Sequence, residues 1–110
     1  MPMYLCRGSY TVEGIQGLLK DGATRREHDI AAALEGIGGK LHDLYYGLGE
    51  TDIYIICELR DNTAAVASSI LINVAGTAEI SCTPLLTPKE MDRSIETVRR
   101  KMDVYRPPGA

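Results

Sequence analysis

GGKLHDLYYGLGETDIYIICEL, Gly38 to Leu59, contains two apolar-rich runs separated by a short glycine-rich connection. Lys40–Leu48 and Asp52–Leu59 both read as strands, and the GLGET segment between them closes a hairpin. Asp52, Tyr54, Ile56 and Glu58 alternate with Ile53, Ile55, Cys57 and Leu59, and the second set is wholly apolar. Because side chains alternate across a strand, that set faces a core and the first set faces away from it.

Outward from the hairpin, each flank repeats one pattern of strand and helix. MYLCRGSY, Met3 to Tyr10, reads as a first strand, and Thr11 caps a helix beginning near Val12. Ile15, Leu18 and Leu19, then Ile30, Ala33, Leu34 and Ile37, recur at helical spacing, and Gly22 between them kinks or breaks the helix. After the hairpin, RDNT supplies a turn and a cap at Asn62 for a helix that Gly76 ends, and TAEISCTPLL forms the fourth strand. Thr87, Pro88 and Glu90 then mark the start of a last helix, combining a cap, a first-turn proline and the glutamate of a capping box. Met91, Ile95, Val98 and Met102 form its narrow apolar stripe, which reads as a packing face.

The resulting order is β-α-β-β-α-β plus a C-terminal helix, the ferredoxin-like split pattern. It predicts an α+β domain with a four-stranded antiparallel sheet ordered 4-1-3-2, both crossovers on one face and the other face open. Residues 1–104 form one domain in this reading, and 105–110 form a flexible tail.

The open face collects the candidate site. Tyr54, Ile56 and Glu58 come from the third strand and Glu79, Ser81 and Thr83 from the fourth, while Arg7 of the first strand is hard to place beneath a helix. Pairing of Arg7 with Glu58 and Glu79 would be natural there. In one phase, the second strand adds His42, Leu44 and Tyr46. Such a surface is too apolar for water and too polar for an ordinary core, so it suggests an interface or a ligand-binding groove. Two sheets packed face to face would bury its apolar part and enclose a polar-lined cavity, which makes a homodimer the leading assembly.

Three function classes fit. The first is a homo-oligomer that binds a small, partly apolar molecule, with Tyr54, Glu58, Glu79 and Asp52 in contact with it. The second is a cofactor-independent enzyme of isomerase or monooxygenase type, with His42 as general base, Arg7 stabilising a developing anion and Tyr46 or Tyr54 orienting the substrate. The third is a structural partner-binding protein that uses the Met91–Met102 stripe. Glu50 and Asp52 read first as residues that fix the hairpin by accepting from backbone amides, with Asp52 the better functional candidate of the two.

Several classes lose support. The 15 acidic and 12 basic residues are mostly interleaved, giving a net charge of −3 and no basic surface for nucleic acid or anionic lipid. No segment approaches the roughly 18 apolar residues of a membrane span, and the amino terminus lacks a secretory signal, which predicts a cytoplasmic protein. His42 and Asp43 point to opposite faces of a regular strand, so no metal site is expected. Neither a phosphate loop nor another cofactor motif appears. Cys6, Cys57 and Cys82 lack Cys-x-x-Cys spacing and read as three free thiols turned toward the helices.

With these elements in place, the chain resembles the GYD-domain family over roughly Met3 to Ile95. The resemblance lies in the opening MPMYLCRGSYTVEGI, the GGKLHDLYYGLGETDIYII hairpin and the strand entering TPKEM. Thr51, within GETD, stands where the family's name-giving tyrosine usually does. The resemblance implies a dimeric α+β barrel and carries no established activity.

Overall fold

A computed structural model describes residues 1–110. Eight elements follow in order: β1 Met3–Tyr10, α1 Val12–Asp21, α2 Ala23–Gly36, β2 Lys40–Tyr46, β3 Ile53–Glu58, α3 Asn62–Ala75, β4 Ala78–Leu85 and α4 Pro88–Arg100. All strand pairs are antiparallel, in the order β2-β3-β1-β4. This is the ferredoxin-like arrangement with an added C-terminal helix.

Local chemistry sets the boundaries. Gly22, at φ 86°, divides the first crossover into α1 and α2. Thr11 caps α1 by accepting from Gly14 N, and Gly76 closes α3 in the left-handed conformation. The α3 cap is Asp61 rather than Asn62: its carboxylate accepts from Ala64 N at 2.9 Å. Asn62 is used otherwise, its Oδ1 accepting from the Tyr4 hydroxyl at 2.7 Å. The α4 capping box is complete, with Thr87 and Glu90 exchanging hydrogen bonds. Those bonds hold the exposed Glu90 carboxyl below its ordinary value.

The core lies between the sheet and α2 and α3. Tyr4, Cys6, Ile53, Ile55, Cys57 and Leu59 supply its floor, and Leu34 and Ala65 come down from the helices. Gly14 lets α1 approach the turn before β4, because a Cβ there would lie 1.8 Å from the Thr77 carbonyl oxygen. Gly17, one turn on, meets nothing within 4 Å. Gly14→Ala is therefore expected to lower stability by about 1–3 kcal/mol through overpacking. Gly17→Ala should raise it by roughly 0.5–1 kcal/mol, the ordinary helical gain. Urea titration of the two variants checks the opposite signs.

The expectation of three thiols is corrected. The β1/β4 register sets Cys6 directly opposite Cys82, with Cα atoms 4.1 Å apart, and the two sulfurs form a disulfide. Cys57 alone remains a thiol, fully buried, and burial pushes its pKa up to about 11. Thiol titration of the unfolded protein should find one reactive cysteine before reduction and three after; three before reduction would contradict this pairing.

One element stands apart. None of the sheet or core helices packs substantially against α4, and the chain measures 56 Å along its longest axis. The radius of gyration is 17.5 Å, against about 13 Å for a compact domain of this length. Met91, Val98 and Met102 are consequently exposed, so the stripe read as a packing face has no partner within its own chain.

Candidate functional site

On the open face, cross-strand register fixes which side chains are neighbours. Leu5 lies between Ile56 and Thr83, and Arg7 between Tyr54 and Ser81; Tyr45 extends the second row beyond Tyr54. Leu5 and Ile56 are half-buried, whereas Arg7, Ser81 and Thr83 are exposed. The face thus has an aliphatic patch beside a row of tyrosines that ends at a guanidinium.

The second strand departs from the expected phase. Leu41 pairs with Cys57 and Asp43 with Ile56, so His42 is the extra residue of a β-bulge. Beyond it the alternation is reversed. Leu44 pairs with Ile55 and Tyr46 with Ile53, both on the helix side, while Asp43 and Tyr45 take the open face. His42 reaches Glu58, its Nε2 lying 3.2 Å from Glu58 Oε1, with both side chains about one-third exposed. His42 and Asp43 therefore lie on the same face.

Tyr46 does not join His42 and Arg7. It lies on the helix side of the sheet, 37% exposed, where its hydroxyl donates to the Ala23 carbonyl at 3.4 Å. Burial, followed by the neighbouring Tyr10 phenol, raises its pKa to about 12. The Tyr10 hydroxyl is sealed from solvent beside it without a hydrogen bond of acceptable geometry. Tyr46 thus has the surroundings of a packing residue on the α2 side.

Asp52 serves the backbone. Its Oδ2 accepts from Tyr10 N at 2.9 Å, its own N–H donates to the Gly8 carbonyl, and its carbonyl accepts from Gly47 N. These bonds tie the hairpin to the end of β1 and satisfy an edge amide that would otherwise lack a partner. Glu50 uses its backbone carbonyl, which accepts from the Ser9 hydroxyl. Gly47 keeps the turn close to Tyr54: a Cβ there would lie 3.0 Å from its ring, so the ring would have to shift to admit one.

Arg7 and Glu79 border a polar groove of about 740 Å³ together with Ser9, Glu50, Thr51 and Ser81. Arg7 forms no salt bridge, and Glu58, expected as a partner, is engaged by His42 four residues further along the sheet. No three histidine, cysteine, aspartate or glutamate side chains converge. On the opposite face, a cavity of about 170 Å³ between the sheet and α2 and α3 is lined mainly by aliphatic residues, including Ile30, Ile55 and Ile80.

The GYD-domain profile matches residues 4–95, most of the chain. The chain belongs to the GYD-domain family. Among curated proteins, no match to the chain was found. The matched span takes in the sheet and α1 to α3 and ends within α4. The name-giving tyrosine position, Thr51, lies half-buried in the hairpin connection that borders the Arg7 groove.

None of the helices is long and apolar enough to cross a membrane. The register agrees with the faces that alternation assigns in β3 and β4, and with Arg7 on the open face of β1. Tyr45 and Asp43, which sequence reasoning missed, are reached only through the bulge, and GGKLHDLYY contains no glycine or proline inside the strand to signal one.

Proposed function

We propose that this GYD-domain protein is a homo-oligomer whose open sheet face binds a small, partly apolar molecule, with an anionic or carbonyl group directed at Arg7. The observation that carries this reading is the uncovered row Tyr45–Tyr54–Arg7–Ser81 beside Leu5 and Ile56. Aromatic rings offer a flat apolar wall, and an unpaired guanidinium beside them offers a directed, charge-assisted donor. Glu79 and Glu58 bound the face on two sides and disfavour a second negative group.

Surface area supports a second copy as the cover. The chain exposes 8053 Å², against roughly 6,000 Å² for a compact monomer of its mass. The surplus, roughly 2,000 Å², falls in the range that each partner of an obligate homodimer buries, about 1,000–2,500 Å². Two open faces packed together would remove Leu5 and Ile56 from water and leave the Arg7 row lining the space between them.

A second reading rests on the His42–Glu58 pair. A histidine held by a carboxylate is oriented for proton transfer, and Arg7 on the same face would stabilise an anion formed next to a carbonyl. This would make the protein a cofactor-independent enzyme acting on a small carbonyl or aromatic compound.

The test is a titration with small aromatic and aliphatic carboxylates, followed residue by residue by amide NMR. Shifts are expected at Leu5, Arg7, Tyr54 and Ile56, with Ile30 and Leu34 of the opposite cavity unmoved. Shifts confined to α2 and α3 would contradict the reading.

A further inference from the structure

Beside the shorter exposed stripe Val12–Ile15–Leu19 of α1, two longer helical surfaces remain without partners even if the open sheet faces cover one another. One is the α4 stripe. A helix of 13 residues is at the limit of what persists in water without tertiary contacts, and α4 has the stripe of a packed helix with no neighbour to pack on.

The other is the outer face of α3. This helix, NTAAVASSILINVA, has no charged residue in 14 positions. Ala65 is buried, and Ser68, Ser69 and Ile72 turn toward the sheet side. The opposite arc presents Val66, Ile70 and Val74, exposed by 58%, 56% and 79%, while Leu71 at its border also lines the cavity. A helix whose outer face met only water would normally carry polar or charged residues there. Three large aliphatic side chains on one exposed helix face mark an interaction surface.

The two surfaces match. α3 has 14 residues and α4 has 13, so their lengths along the axis are nearly equal. Val66, Ile70 and Val74 recur every four residues, and Met91, Ile95 and Val98 are spaced by four and three, the ridges by which helices interlock, with Met102 just past the end of α4. The charges of α4, including Arg93, Glu96 and Arg100, lie outside its stripe, so nothing charged need be buried against uncharged α3. Within one chain α4 projects beyond the end of β4 and does not pack over α3. A second copy supplies an α3 face without that restriction.

We propose that α4 is an exchange arm: its Met91–Met102 stripe seats on the Val66–Ile70–Val74 face of α3 in a second copy of this chain. The surplus of exposed surface includes both helical faces, so this contact accounts for area that sheet pairing alone leaves in water. The contact is heterologous, arm to helix, and it closes when two copies exchange arms reciprocally. It uses helical surfaces only and does not depend on the open face binding a ligand.

The test uses two single-cysteine additions to the full chain, Ile70→Cys and Val98→Cys, treated with a short bis-maleimide separately and as a mixture. Native Cys57 is buried and Cys6 and Cys82 are paired, so the added thiol is the reactive one. The mixture is expected to yield a covalent heterodimer that neither variant yields alone. Linkage of Val98→Cys to itself would mean arm-to-arm pairing, linkage of Ile70→Cys to itself would mean α3-to-α3 pairing, and no linkage would mean no such contact; each overturns the proposal. The exposed-site variant Val66→Asp/Ile70→Asp is expected to keep the native fold by circular dichroism and to weaken self-association about a hundredfold. Unchanged association would also overturn it. Carboxylate-induced shifts on the open face without 70–98 linkage would remove the arm and leave the ligand reading standing; linkage without shifts would do the reverse.

Discussion

Leu5→Asp is expected to weaken homo-association by about three orders of magnitude or more while leaving the chain folded. Leu5 lies at the centre of the open face, on a central strand, between Ile56 and Thr83. Its side chain points away from the core, whose β1 contributions are Tyr4 and Cys6, so the substitution removes no core contact. In a face-to-face pair it would instead place an unpaired carboxylate in a closing interface, a cost of several kcal/mol per ion. Two-fold symmetry makes each substitution count twice. Sedimentation equilibrium reads the change directly. An association constant unchanged by Leu5→Asp, with circular dichroism and thermal unfolding also unchanged, would show that the open face is not an interface.

The second large effect concerns the site itself. Arg7→Ala should lower the affinity for a bound carboxylate about 10- to 100-fold, the loss of one charge-assisted hydrogen bond in a partly dehydrated position. Arg7 forms no salt bridge, so its removal leaves no buried counter-charge behind and the fold should be indifferent. His42→Ala separates the two functional readings. If the protein is an enzyme that uses the His42–Glu58 pair, turnover is abolished while the oligomer is retained; if it is a binding module, affinity changes little. Turnover unaffected by the substitution would remove His42 from the mechanism. Isothermal titration calorimetry for affinity and a product assay on any compound that binds give the two readouts.

Much of the fold is legible in the sequence. In β3, the apolar set Ile53, Ile55 and Cys57 and the mixed set Tyr54, Ile56 and Glu58 lie on the faces that alternation assigned, and β4 follows suit. Gly22, Gly76 and the Thr87–Glu90 box stop and start helices for the backbone reasons that make those residues useful. The failures share a cause, which is that a local pattern does not reveal register. One extra residue at His42 reversed β2 and sent Tyr46 to the helix side, although LHDLYY reads as an unbroken strand. Cys6 and Cys82 are 76 residues apart, and only the β1/β4 register brings them together. Asp61 took the cap from Asn62 because the Asn62 side chain was drawn to the Tyr4 hydroxyl, a contact 58 positions away in sequence. The α4 stripe reads as a packing face from its spacing, yet Met91 and Val98 are exposed and no element of the same chain covers them, which no local signal reveals.

In the proposed assembly a second copy closes the open sheet face around a small molecule. Native mass spectrometry of the protein purified from its own host tests it most directly, because assembly mass and retained ligand are read together. The expected species has twice the 12.0 kDa protomer mass, or an even multiple of it, and carries an additional small mass that Arg7→Ala reduces or removes. A monomer of 12.0 kDa with nothing bound would contradict both the assembly and the site built on it.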